Sequence, residues 1–464
     1  MMPVEVLLGI AIGAVALLLL LVIKLKVPAY LALLIVALGT ALVTPIPLAE
    51  TVPTLIEGMG KTLGSVMIIV GLGAMLGRAI EVARGAESLA TFFTGKFGVK
   101  RVVSAVTVAA FVLGIPVFFD VGFLIFAPII FGFALVAKIN PLKIGLPVAS
   151  VLIIVHVALP PHPGPVAAAE ILGVDSGFML IVALPLCAVT CVLGYLAVRK
   201  FKLEGIEMLD SPAARAVKAN GAQPKIGSGA VVGVDPKAPS AGLVSVLILL
   251  PIALIMAGTV GTMLIAKESI ANTVSGIIGS SSVALLIAVI FAYIVLSRQQ
   301  GWNAQKRSEI FEGALPLVAI IVFVTGAGGV FANVLVKSGI GSALSNALIA
   351  SNMPVILAAF VIAAALRISQ GSATVAILTT AGLITAPVAA AGYTPLQACL
   401  VTIAMCFGAA GFSHVNDSGY WIVTRYLGLS VKDGLRTWTL YSTIFGVIGF
   451  LLTWATFGIV TATM

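Results

Sequence analysis

Apolar runs separated by short polar or basic stretches fill this chain from end to end. Val4–Ile23 is apolar throughout and closes at Lys24 and Lys26. Pro28–Val43 is a second run. Thr44–Gly60 reads as a loop carrying Glu50 and Glu57. Lys61–Val82 is a third span, in which Gly71, Gly73 and Gly77 permit close helix approach. Glu87–Phe97 is short and amphipathic, a pattern expected at the membrane interface.

The next runs are interrupted. Arg101–Ile115 is roughly 22 Å of helix at 1.5 Å per residue. That is too short for a hydrocarbon core of about 30 Å. It meets Gly114-Ile115-Pro116 and Asp120, and Phe123–Ala137 then returns to Lys138. Two short arms with basic outer ends predict a re-entrant helical hairpin over 101–137; two full spans are the alternative. A helix over 144–172 is broken at Pro160-Pro161-His162-Pro163. Gly177–Val198 is another span, and residues 202–240 form a polar linker.

The second half repeats this plan. Leu243–Ile265, Thr273–Leu296 and Gly313–Val336 read as spans, and Gly339–Ile349 as a short connecting piece. A second hairpin covers 354–390, with Arg367–Ser372 as its polar tip. A second broken helix covers 396–426, and Thr437–Val460 is the last span. The second break, Phe407–Trp421, crowds Ser413, His414, Asn416, Asp417 and Ser418 among glycines. Polar residues inside a membrane segment often mark a substrate or ion path. Irregular backbone at that depth must line a protein-walled cavity. A surface loop is the alternative for this stretch.

Each half therefore makes five crossings, an odd number, so residues 1–201 and 241–464 are expected to be inverted repeats. Such repeats with discontinuous helices characterise secondary transporters. Threading the topology puts Lys24, Lys26, Arg84, Lys96, Arg101, Lys138, Arg199 and the basic residues of the linker on one side. Lys267 and Lys337 stand on the other, with Lys61 at its edge. The rich side, linker included, is predicted to be cytoplasmic.

Composition fixes the class: 60% hydrophobic and 9% charged residues, with a mean hydropathy of +1.20, describe an all-α polytopic membrane protein. Met1–Ile23 lacks a basic n-region and a small-residue cleavage site, so it is expected to be the first span rather than a signal peptide. The net charge of +9 resides at span ends and does not suggest nucleic acid. The four cysteines lie in apolar runs, as small buried hydrophobes do. Gly58–Thr62 hints at a phosphate loop, but Leu55 replaces the first glycine. Three histidines without clustered carboxylates make no metal site, and neither HExxH nor GxSxG is present, so no cofactor and no enzymatic activity are expected.

Several polar residues remain as candidates. Asp120 is a lone carboxylate in the first hairpin and suits a proton carrier; capping the return arm is the alternative. Arg367 lies roughly 20 Å along its helix from Pro354. An arginine at that depth needs an anion, and its fork suits a substrate carboxylate. A salt bridge to Asp120 or Asp417 is the alternative. Ser369, Gln370, Ser372, His162, His414, Asn416 and Ser418 could meet the hydroxyls of a polar ligand, and Asp417 is a second candidate for the proton. His156, on an apolar helix, reads as structural.

The segments GIPVFFDVGFLIFAPI (Gly114–Ile129), ALPPHPGPVAAA (Ala158–Ala169), SQGSATVA (Ser369–Ala376) and GFSHVNDSGYW (Gly411–Trp421) give the chain a resemblance to the gluconate:proton symporter family. The resemblance implies proton-coupled import of gluconate or a related sugar acid across the inner membrane of a bacterium. Relatives that take other hydroxy or amino acids, including D-serine, leave the substrate open. It further implies a two-hairpin ion-transporter architecture, a homodimer in the bilayer, and elevator-like movement. Sodium coupling is a variant of this reading. An anion channel is the competing class, and broken helices around a buried Asp and Arg suit an occluding site better than a pore.

Overall fold

The computed structural model describes residues 2–98, 101–201, 238–266, 268–351, 353–415 and 417–463, with scattered positions between 203 and 208. Most of the predicted linker, including 209–237, lies outside the described residues. So do Asn416 and the side chains of Ser369 and Gln370. The described residues are helical, with no strand among them. Nine helical segments among them are long and apolar enough to cross a membrane. Ile12 (71% exposed), Ile320 (77%) and Ile459 (66%) stand on outer faces. Such exposure suits lipid and would be a liability in water.

The chain opens with α1 (Val4–Leu19), which ends in a π turn, and α2 (Ala29–Val43). Next comes α3, Leu48–Val82, 35 residues long. The predicted loop over Thr44–Gly60 is therefore largely helix. Neither of its glycines breaks the helix, and Gly58 is a packing position. A Cβ on Gly58 would stand 2.7 Å from the carbonyl oxygen of Gly329, so the small residue lets α3 lie against α14 (Leu315–Lys337). Glu57 secures the contact through Lys61 on its own helix and Lys337 on α14, each at 2.5 Å. Asn333 donates to the Thr54 carbonyl at 2.8 Å.

The first hairpin is α5 (Val102–Gly114) and α6 (Phe119–Ala137), preceded by α4 (Gly85–Phe97). Its arms are in contact. Next, α7 (Leu142–Ala158) breaks at Leu159–His162 and restarts as α8 (Pro163–Leu172), where Pro at the first helical position needs no N–H partner. Then α9 spans Ser176–Val198.

In the second half, α10 is Ala241–Leu264. The expected span Thr273–Leu296 is instead two helices, α11 (Ile270–Gly279) and α12 (Ser281–Gln300), parted by extended backbone at Ser280. Asn272 holds α11 back against α10 by donating to the carbonyls of Thr262 (3.0 Å) and Ile265 (2.8 Å). A charged surface helix, α13 (Ala304–Glu312), leads to α14, and α15 (Ile340–Ala350) follows. The second hairpin is α16 (Val355–Gln370) and α17 (Ala373–Ala390). The second broken helix is α18 (Pro395–Ala410) and α19 (Ser418–Leu427), and α20 (Val431–Ala462) closes the chain.

The centre of the molecule is α7 and α18, whose side chains are buried nearly all round. Helices apolar on every face belong in a core or a membrane. Their hydroxyls are satisfied locally: Ser150 donates to Leu146 O at 2.9 Å and Thr402 to Ala398 O at 2.9 Å. α7 and α18 pack against each other, and each carries one helix break toward the hairpin tips.

Candidate substrate and proton site

The second hairpin turns at Gly371, whose φ of +81° ends α16 in the left-handed region that glycine tolerates. Ser372 then caps α17, its hydroxyl accepting from Val375 N at 3.3 Å. The helix thus runs into the expected polar tip as far as Gln370, the turn falls at Gly371 within it, and Arg367 lies on the last turn. Arg367 is 2% exposed and Asp417 6%. Arg367 Nη1 donates to Gly371 O, and Nη2 pairs with Asp417 Oδ2. The alternative reading of Arg367 as an ion-pair partner of Asp417 holds here. Its Nε has no partner among the described residues.

Asp417 is the N-cap of α19 and accepts from Gly419 N at 3.1 Å. It also accepts from the Ser413 hydroxyl, which in turn accepts from Trp438 Nε1 at 2.7 Å. Thr439 Oγ1 donates to Ser413 O at 2.6 Å. Phe412, at φ +57°, sets the chain into this turn at the backbone cost of a left-handed aromatic residue. Its N–H donates to Thr443 Oγ1 at 3.1 Å. Neither Ser413 nor Trp438 is among the residues singled out from sequence. Ser413 lay in the polar cluster but carried no distinguishing spacing, and Trp438 sits in an apolar span.

The first hairpin reaches the same place. Phe119 stacks on Trp438 with centroids 5.9 Å apart. A Cβ on Gly419 would meet the Phe119 ring at 3.0 Å. Asp120, expected as a buried tip residue, is exposed on the first turn of α6. α6 begins with no side-chain cap, so the capping alternative does not apply. Asp120 lies within electrostatic reach of Asp417 and Arg367.

The two histidines in the breaks make matching bonds. His162 Nε2 donates to Gly114 O, at the end of the first hairpin's outgoing arm, at 2.8 Å across 48 residues. His414 Nε2 bonds to Ile368 O, near the end of the second hairpin's outgoing arm, at 2.8 Å across 46 residues. His156 is not isolated: its Nδ1 lies 3.2 Å from His162 Nδ1. Ser418 is exposed on the first turn of α19. Gly164, at the start of α8, faces Thr374 at the start of α17.

Helices α6, α8, α17 and α19 thus begin where the hairpin tips and the breaks meet. Helix N-termini offer N–H groups and partial positive charge to anions. Together with a buried arginine inside an all-helical fold with exposed apolar faces, they suit a membrane carrier of a small polar solute. Residues 5–460 match the GntP family permease. The chain belongs to that family, and is a multi-pass membrane permease rather than an enzyme. It is 51% identical to the inner membrane permease YgbN of Escherichia coli strain K12, over 98% of this chain and 99% of that one. It is 33% identical to the high-affinity gluconate transporter of the same strain, over 95% and 96%. The YdaH transporter of Alcanivorax borkumensis shares the fold, with a TM-score of 0.58 and 16% identity over 95% of this chain and 99% of that one.

Proposed function

We propose that the protein takes up gluconate or a closely related small hydroxy acid across the bacterial inner membrane, coupled to protons. The carrying observation is the buried Arg367–Asp417 pair. A guanidinium already held by a carboxylate is chemically matched to the carboxylate of a substrate. Protonation of Asp417 removes the competing charge and frees Arg367 for the incoming acid. Substrate and proton then bind together, which is the requirement for symport. Asp120, within reach of both groups, supplies a second place for the proton. Ser369, Gln370, Ser372, His414, Asn416 and Ser418 stand beside Arg367 or Asp417 in the sequence and are assigned to the hydroxyls; both ring nitrogens of His162 are already engaged, by Gly114 O and His156 Nδ1.

The matching His162–Gly114 and His414–Ile368 bonds support inverted repeats with re-entrant hairpins. The short outgoing arm of the first hairpin supports the same reading, since α5 spans roughly 20 Å; the return arms are longer, and α17 is one of the nine candidate spans. The linker and the ends of the first hairpin then lie on the cytoplasmic side, and a homodimer is the expected assembly. The test is binding of gluconate and of its neutral amide to the wild type and to Arg367→Gln. Loss of one charge-assisted bond is worth about 1.5–3 kcal/mol, so the amide should bind the wild type roughly tenfold or more weaker. The variant should discriminate far less. Equal discrimination by folded Arg367→Gln would remove Arg367 from the carboxylate site.

A further inference from the structure

We propose that His156, on the last turn of α7, is a proton-accepting residue, and that the His156–His162 pair holds one exchangeable proton beside the tip of the first hairpin. The inference rests on the proton-coupled reading above and adds a position for the proton apart from the two carboxylates.

The ring nitrogens determine where protons can sit. A carbonyl oxygen only accepts, so His162 Nε2 carries a proton toward Gly114. The 3.2 Å Nδ1 to Nδ1 contact needs one proton between the rings. When both rings are neutral, His162 has spent its N–H on Gly114, and His156 Nδ1–H donates to His162 Nδ1. His156 Nε2 is then a free lone pair. His156 is also the partly exposed member, whereas His162 is 2% exposed.

An arriving proton bonds to His156 Nε2 and makes that ring an imidazolium, with both hydrogen bonds intact. The proton between the rings can then pass from His156 Nδ1 to His162 Nδ1. The charge moves inward while no heavy atom changes place. Release reverses these steps. A second added proton would put N–H on both Nδ1 atoms and break the contact, so the pair holds one.

His162 and Arg367 act electrostatically on His156. Asp120, on α6 packed against α7, lies within electrostatic reach of Arg367 and Asp417. The Phe118 ring lies T-shaped to both imidazoles, with centroids 5.9 and 5.6 Å away. Phe118 is the N-cap of α6, two positions before Asp120. A charge on the pair is therefore felt at the hairpin tip.

His156→Asn tests the proposal, because the amide keeps an N–H near the place of Nδ1 but takes no proton. In proteoliposomes with gluconate as probe, the variant should retain exchange, lose uphill uptake driven by a pH gradient, and lose the wild-type pH profile. A variant with the wild-type pH profile and uphill uptake would overturn the proposal and leave proton coupling standing. Wild-type uptake indifferent to the gradient would instead overturn proton coupling. Nitrogen-15 spectra of histidine-labelled wild type give a readout independent of any variant's folding, since the chain has three histidines. His156 should appear as the Nδ1–H tautomer at high pH, and one added proton should be shared by the pair as pH falls. Two rings that stay neutral down to about pH 5, through the range where histidine ordinarily titrates, would overturn the proposal.

Discussion

Arg367 and Asp417 stand 50 residues apart in the chain and form a buried ion pair where the second hairpin meets the second helix break. Removing one partner of such a pair leaves a buried charge uncompensated, at a cost of about 3–5 kcal/mol. Asp417→Asn and Arg367→Gln should each lower the stability of the purified protein by that order. The double variant should cost clearly less than their sum. Unfolding measured in detergent across the four proteins gives the coupling energy. Additive costs would mean that the two side chains do not stabilise each other.

Asp120→Asn should abolish uphill accumulation driven by a pH gradient while exchange of substrate continues. The motive is an exposed carboxylate on the first turn of α6, within reach of Arg367 and Asp417. Proteoliposome uptake with and without an imposed gradient checks it. A variant that still concentrates substrate would move the coupling role to Asp417 or to the histidine pair.

Trp438 joins the first hairpin to the second break through one ring and one N–H. Trp438→Phe should keep stacking on Phe119 and lose the bond to Ser413, a loss of about 1 kcal/mol. Trp438→Ala also empties a buried volume and should cost about 3–5 kcal/mol. Thermal unfolding of the two variants separates these contributions. Equal destabilisation would make the hydrogen bond, rather than the ring, the dominant element.

Single cysteines at Ser228 and Gly392 test sidedness, in a background where the four native buried thiols are replaced. On intact cells an impermeant thiol reagent should label position 392 and spare position 228. The reverse pattern would invert the whole topology.

The apolar arms and the breaks were legible because Gly, Pro and charged residues stand out against lipid-soluble runs. The bounds of α17 are those read from sequence, and α7 and α18 differ by only a residue or two at their ends. The identity of Arg367's partner was not legible. Asp120 and Asp417 offered the same chemistry, and only folding chose between them. The helix over Leu48–Gly60 was hidden because Pro53, Gly58 and Gly60 punctuate a soluble chain, whereas here Gly58 is a contact surface for α14 and the helix runs on through the other two. The separation of α11 from α12 turned on one extended serine, Ser280, whose Gly279-Ser280-Ser281-Ser282 setting is a weak break signal inside an apolar run. His156 reads as structural in the sequence because its partner, six positions on, lies across a helix break that local periodicity cannot fold.

The contact between α3 and α14, braced by Glu57 and Lys337, bears on how the polypeptide holds together when cut. α1 and α2 rest on α15 and α14, α8 rests on α17, and α9 rests on α20. Neither half completes its own interior; each fills vacancies in the other. The connecting segment between them is thus dispensable as a tether once both halves have met. Two separately translated fragments, divided within residues 209–237, should reassemble in the membrane and co-purify as one particle. Either fragment made alone should be degraded, since its unfilled seams would face lipid with the groups that normally meet the other half.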